Sequence, residues 1–335
     1  GMWKMKKENF MQNIKWLNDL NLKVSYGTQG NASIGDFSSL AMIGTTTDYA
    51  ASSSWVMSQP SNNNLTWEKQ KLLTFAVNTR LFDRVDLDVE YYVRKTSSML
   101  MDVPYPYTTG FSSVTSNVGT LQNKGIDVTL NVNILRDKDY YLNFNTSFNY
   151  NSSKITELFQ GRQRWEIANT LVAYVVGKPV MFYAPIYAGV NKADGQQQWY
   201  VPGSNSDITT KGATSEKFVE ADLTQNTGKK RYAPINGGFG FTAGWKGISI
   251  ACDFSYVLGK YLFNNDGYFS ENPYQFSGMN TSKKCADYWT SKNTDAKYPD
   301  WSQGAVMQFD THLLENASFL RLKNLQVGYD LPKSL

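Results

Sequence analysis

Between Leu65 and Tyr150 the side chains alternate apolar and polar almost without error through three of four consecutive segments, and less cleanly through the first. Val85, Leu87, Val89, Tyr91 and Val93 alternate with Asp86, Asp88, Glu90, Tyr92 and Arg94. The pattern returns as Ile126, Val128, Leu130, Val132 and Ile134 against Asp127, Thr129, Asn131 and Asn133, and again from Tyr140, Leu142, Phe144, Thr146 and Phe148 to Tyr150 against Tyr141, Asn143, Asn145, Ser147 and Asn149. Neighbouring side chains of a strand point to opposite faces, so a period of two held this long predicts strands with one apolar and one hydrophilic face. Strands of globular domains run to about five or six residues, whereas a tilted bilayer-crossing strand needs roughly 9–11. The segments are of the longer kind, and Asn, Asp, Thr and Ser on their second face suit water. A membrane barrel fits both features; a large soluble sheet fits the alternation alone.

Composition narrows the class. Aromatic residues make up 14% of the 335 and charged residues only 19%, which disfavours disorder and suits strands with aromatic girdles. The mean hydropathy of −0.43 excludes a bundle of membrane helices, but only alternate residues of a barrel strand face lipid. The net charge of +4 is too small, and Lys and Arg too scattered, for a nucleic-acid partner. Catalytic and metal-binding signatures are absent, and no cofactor is expected. The one histidine, His312, flanks a strand; Cys252 sits at an apolar strand position as a packing residue, and Cys285 lies in a polar loop, with a bridge between them open.

In chain order, Glu8 to Leu20 reads as a short amphipathic helix and Asn21 to Gly27 as the first strand, followed by an aperiodic polar segment, Thr28 to Asn64. Leu65–Phe82 and Arg84–Lys95 meet at a tight turn near Asp83, and Asn123–Leu135 and Tyr140–Ser152 at another over Arg136 to Asp139. Thr96 to Gln122 is by contrast a long connection. Alternating short and long connections are what an outer-membrane barrel shows, with turns on the periplasmic side and loops outside. The second half repeats the plan less cleanly: Pro179–Val190, Gln196–Val201, a polar stretch over Pro202–Arg231, then Phe239 to Trp245 and Ile248 to Leu258 about a turn at Lys246-Gly247. Glycines at 238, 240 and 244 leave room for bulk or curvature. A long loop, Asn264 to Asn316, precedes the last strand, Ala317 to Leu331.

The chain resembles the C-terminal barrel portion of the SusC/RagA family, TonB-dependent outer-membrane transporters of Bacteroidetes. The matching residues are Leu22 to Gly27 (LKVSYG), Gly30-Asn31, Ile34-Gly35, Leu65 to Glu68, Glu90-Tyr91-Tyr92, Pro104, Pro106, Thr109-Gly110-Phe111, Asn117-Val118-Gly119 and Asn123-Lys124-Gly125. They continue through Ile186 to Gly189, Trp199-Tyr200, Gly237-Gly238-Phe239, Trp245-Lys246-Gly247, Phe319 to Asn324, Gly328-Tyr329 and Leu331-Pro332. The family's signal peptide, N-terminal β-domain, TonB box, plug and last strands have no counterpart, so the resemblance implies about ten strands of a plugged barrel of about 22, a partial all-β antiparallel transmembrane domain over 1–335 with long extracellular loops.

The resemblance implies localisation in the outer membrane and, for the whole protein, import of glycans or oligopeptides rather than an enzymatic reaction. A SusD-like surface lipoprotein would act as lid, and TonB would supply energy through the missing plug. This segment would supply wall and loops. Trp55, Tyr105, Tyr107, Phe111, Trp199, Trp289 and Trp301 are the candidate substrate- or partner-contacting rings, because aromatic rings offer a broad amphipathic surface; the alternative is that they pack loop cores. Asp86, Asp88, Glu90, Asn131, Asn133, Asn143 and Asn145 would face the lumen. Two other readings stand beside this one: a soluble or surface-attached β-sheet module that binds glycan without transport, and a hydrolase, which would need a carboxylate pair across a cleft. In a barrel wall Val128→Arg or Leu130→Arg costs about 2–4 kcal/mol near the midplane and Asn131→Arg costs little. Unfolding titrations of the membrane-inserted protein check this, and equal tolerance on both faces would contradict a barrel.

Overall fold

The computed structural model describes residues 1–47, 51–167 and 170–331, with the side chain of Tyr107 outside that description. The chain divides into two compact units. One comprises Gly1–Gln163, Gly237–Phe254 and Leu322–Leu335, and the other comprises Arg164–Asn236 and Ser255–Arg321.

A nine-stranded sheet runs in chain order through Met2–Lys4, Leu17–Asn31, Glu68–Leu81, Val85–Ser97, Thr120–Arg136, Tyr140–Glu157, Ile235–Trp245, Ile248–Leu258 and Phe319–Tyr329. Register keeps like faces together. Leu22 pairs with Val77, Val77 with Val89, Val89 with Val128, and Val128 with Phe148, so five apolar side chains form one row across five strands. The next row is Val24, Phe75, Tyr91, Ile126 and Tyr150. On the other face Asp86 pairs with Asn131 and Asn131 with Asn145. A slip of one residue would exchange the faces, and the hydrophobic pattern forbids it.

Side chains of the apolar face stay open among the described residues. Val24, Phe75, Tyr91 and Tyr150 remain 39–46% exposed, an arrangement water would penalise in a sheet of this extent. From Val85 to Val93 the apolar stripe spans roughly 26 Å at about 3.3 Å per residue. At a tilt of about 40° that is roughly 20 Å, close to the ~25 Å apolar band of an outer-membrane barrel. The wall is therefore built for lipid on one side.

Short turns close one end of the sheet. Phe82 and Asp83 both adopt left-handed backbone, with φ of 54° and 53°, and Arg84 N–H donates to Leu81 C=O at 3.0 Å. Those are the features of a type I′ hairpin turn, usually given to Asn-Gly. Here Asn18 holds it: its side-chain oxygen accepts from Asp83 N–H at 2.8 Å and its amide donates to the Asp83 carboxylate at 2.6 Å. Lys246-Gly247, at φ of 47° and 87°, makes the same kind of turn.

The segment Glu8 to Leu20 is not a helix. Turns occupy most of residues 8–16, and the strand already begins at Leu17. Lys6 Nζ donates to the carbonyls of Met11, Gln12 and Ile14 at 2.7–3.2 Å, which ties the loop in a non-helical path. Pairing of Leu17–Asn31 with Glu68–Leu81 along its whole length then outweighs a weak local helix preference. The two long connections also hold structure. Met42–Thr47 pairs with Ser53–Gln59, and Leu100–Pro104 with Ser113–Asn117.

The segments read as wall strands at Pro179–Val190 and Gln196–Val201 belong instead to the second unit. There Met181–Val190 is the centre of a separate six-stranded sheet, with Arg164–Ile167, Val172–Val175, Gln197–Tyr200, Thr214–Ser215 and Thr224–Lys230. Its first residues, Met181 to Ile186, are buried without alternation, the sign of a strand covered on both faces. This unit has an ordinary core, with Ala173, Val175, Met181 and Tyr183 in one cluster and Cys285, Tyr298 and Met307 in another. Both cysteines are free.

Glycines of the wall face bulky neighbours. A Cβ at Gly125 would meet the Tyr92 ring and lie 2.6 Å from the Tyr150 carbonyl oxygen. Gly125→Ala is expected to destabilise the sheet by about 1–3 kcal/mol, as overpacking does. Adding Tyr92→Ala should restore only part of that, because the Tyr150 carbonyl stays in place. Denaturant midpoints of the single and double variants measure both.

Candidate functional site

The polar face is organised in rows by the same pairing. Arg80 lies opposite Asp86 and its Nε stands 3.6 Å from the Asp86 carboxylate. Two rows on, Asn149 donates to Asp127, which pairs with Glu90. Tyr92 then reaches over Gly125 and donates to the Asn151 side-chain oxygen at 3.1 Å. Asn143 donates to Thr242 at 3.2 Å, and Gly240 leaves the space that Asp253 and Asn145 occupy. Gly240 thus makes room for polar groups, and Gly244 of the same strand for the Tyr141 ring. Asp86, Asp88, Glu90, Asn131, Asn133, Asn143 and Asn145 all share this face, which offers carboxylate and amide oxygens to water or to a polar solute.

The candidate rings separate into three environments. Trp55 is 78% exposed on the Met42–Thr47 and Ser53–Gln59 hairpin, and Tyr105 is exposed at the end of the second hairpin, with Phe111 half-buried nearby in the chain. The backbone of Tyr107 lies in a short turn, Tyr107–Thr109, and its side chain is outside the described residues. In the second unit Trp289 is half-buried, donates its indole N–H to the Lys192 carbonyl at 3.1 Å, and has its ring where a Cβ at Gly195 would be. Trp301 donates to the Cys285 carbonyl at 3.1 Å and leans on Tyr298. Trp199 is 2% exposed, between Tyr187 and Phe218, with its N–H donated to Asp310 at 2.6 Å. Among the candidate rings whose side chains are described, Trp55 and Tyr105 are the exposed ones; Trp199 is an interior strut.

A polar cluster in the second unit escaped the reading of the sequence. Glu271, Lys284, Tyr187, Tyr298, Met307 and His312 line a cleft of about 470 Å³. The Asp310 carboxylate is fully buried and bonds the His312 ring Nδ1 at 2.6 Å and backbone N–H at 2.8 Å. Glu271 accepts from Lys284 at 2.8 Å and from Tyr298 at 2.7 Å. Burial pushes its carboxyl up, but these two hydrogen bonds, with the Lys284 charge, outweigh burial and hold it below its ordinary value. Burial, then the bond to Glu271, pushes the Tyr298 hydroxyl far up. The only sequence signal was the Asp310-x-His312 spacing, which by itself is common.

No protein-family model matches the chain. Among curated relatives it is 26% identical to TonB-dependent receptor P26 of Formosa agariphila over 98% of its length and 34% of the relative's. It is 27% identical to the TonB-dependent receptor SusC of Bacteroides thetaiotaomicron over 98% of its length and 33% of that protein. The solved structure of the RagAB peptide transporter superposes with a TM-score of 0.90 at 41% identity, over the whole of this chain and 37% of that one. The chain resembles the SusC/RagA type of TonB-dependent receptor along nearly its whole length. It spans about a third of the length of the curated relatives it matches. That resemblance fits a sheet with an exposed apolar face and a second unit with an ordinary core.

Glu271, with its carboxyl held low in the folded state, contributes stability that is present above its ordinary value of 4.5 and lost as pH falls through its lower folded value. Hydrogen exchange around Tyr298 is expected to rise on acidification below about pH 4.5. In Glu271→Gln that acid-dependent rise should shrink, with faster exchange at neutral pH.

Proposed function

We propose that the protein carrying this chain imports oligopeptides or glycans across the outer membrane, taking energy from TonB and working with a SusD-like surface lipoprotein. The observation that carries this is an exposed apolar band of bilayer height on a sheet that matches a peptide transporter along the whole chain. Oligopeptides are favoured, since identity is 41% to the RagAB peptide transporter and 27% to SusC. The lumen would be lined by Asp86, Asp88, Glu90, Asn131, Asn133, Asn143 and Asn145, hydrated side chains that let a polar solute pass without binding it tightly. The hairpins carrying Trp55 and Tyr105, together with the loops of the second unit, would face substrate and lipoprotein.

The test is uptake. Cells lacking the gene should lose accumulation of a fluorescently labelled oligopeptide mixture, and restoring the gene should return it. Unchanged uptake of both labelled peptides and labelled glycans would reject import. An exposed ring at a binding surface is worth more than about 1 kcal/mol when it is an anchor. Trp55→Ala is accordingly expected to weaken substrate or lipoprotein binding about fivefold or more with the folded protein intact, as equilibrium binding would show.

A further inference from the structure

The outward face of the sheet changes character at the end away from the short turns. Beyond the row Val24, Phe75, Tyr91, Ile126 and Tyr150 comes Tyr26, Leu73, Val93, Lys124 and Ser152, and beyond that Thr28, Lys71, Lys95, Gln122 and Lys154. Lys69, paired with Gly30 and Ser97, follows on the same face. Five lysines therefore stand in the two or three rows just past the aromatic and aliphatic band, and all five are exposed.

Their arrangement is not that of neutralised surface charge. Lys71 and Lys95 are direct cross-strand partners, a placement that like charges make unfavourable. Among the described residues none of the five makes an ion pair. Glu68 and Glu157, at the same end of the strands, are engaged elsewhere: Glu68 accepts from Leu100 N–H and Asn31, and Glu157 from Thr120. The opposite end differs, since Asp83, Arg84, Arg136, Asp137, Lys138 and Asp139 mix both signs around the turns. Trp67, 60% exposed, lies beside Lys69 and Lys71 in a cleft of about 480 Å³ that also includes Thr28 and Gly30. An indole and two ammonium groups at the upper margin of an apolar band match the junction between acyl chain and headgroup.

We propose that Lys69, Lys71, Lys95, Lys124 and Lys154 form a belt that binds the phosphate groups of anionic lipid headgroups in the leaflet on the loop side of the membrane. This rests on the outer-membrane reading above. Charge complementarity selects an anion, and continuity with the lipid-facing band selects a lipid as its bearer. The belt relieves the Lys71–Lys95 repulsion and fixes the height of the wall in the bilayer.

The experiment reconstitutes the complete receptor in phosphatidylcholine vesicles with and without phosphatidylglycerol and measures retained lipid by native mass spectrometry after extraction. The comparison is wild type, Lys71→Gln/Lys95→Gln/Lys124→Gln, and the matching Lys→Arg triple variant. Wild type and the Arg variant should retain the anionic lipid preferentially. The Gln variant should lose that preference, by roughly fivefold per lysine at low salt and less at high salt. Equal retention in wild type and the Gln variant would overturn the belt, as would binding of inorganic phosphate by the detergent-solubilised receptor with no lipid preference. Vesicle flotation separates the two readings. A receptor that floats with the vesicles but shows no anionic preference defeats the belt alone, and one that fails to insert defeats the membrane wall.

Discussion

Cross-strand register is the constraint on which the wall depends. Every backbone pair that sets Val89 against Val128 and Val77 also sets Glu90 against Asp127, so one ladder of hydrogen bonds sorts the side chains of five strands into an oily face and a wet one. In lipid no water can replace a broken ladder bond, so the backbone must be paired within the sheet. The devices that look local serve that register. Asn18 fastens the Phe82-Asp83 turn in a backbone conformation unusual for these residues, and Gly125 admits the Tyr92 ring where a larger residue would collide with it.

The two units illustrate two solvents. In the first, apolar side chains lie open along the sheet and polar ones bond one another across it. In the second, apolar residues such as Tyr183 and Met307 are buried, and several buried polar groups are bonded in turn, although Tyr187 Oη and His312 Nε2 are not. Asn272, fully buried, donates to the Tyr268 and Met307 carbonyls at 2.9 and 3.0 Å, and Asp310 accepts from Trp199 and His312. The same chain therefore meets lipid with one unit and satisfies an ordinary aqueous packing rule with the other.

Much of the wall was legible in the sequence because period two is a strong signal when held for ten or more residues. The tight turns at Asp83 and Lys246-Gly247 and the space left by alternating glycines were legible for the same reason: each has a local backbone cause. The second unit was not. Met181 to Ile186 is apolar without alternation, which a single sequence does not distinguish from a degraded wall strand. The hairpins within the long connections were missed because strands such as Met42–Thr47 are short and exposed on both sides, so no face stands out. Trp199 reads in sequence like any loop aromatic; its hydrogen-bond partner Asp310 lies more than a hundred residues later, and the ring His312 packs on, Tyr187, is as distant in the chain. Residues such as Pro332 lie outside the described part of the chain.

The second unit is assembled from two separate excursions of the chain, Arg164–Asn236 and Ser255–Arg321, with wall strands between them. Tyr187 N–H donates to the Thr311 hydroxyl across a separation of 124 residues, and Trp199 reaches Asp310 across 111. Contacts that distant carry a heavy loop-closure cost until the intervening hairpin has formed and shortened the effective path. A formed hairpin of Ile235–Trp245 and Ile248–Leu258 shortens that path and so favours closure of the second unit. A compact second unit therefore reports that two stretches far apart in the chain have already been brought together around the hairpin that separates them in sequence.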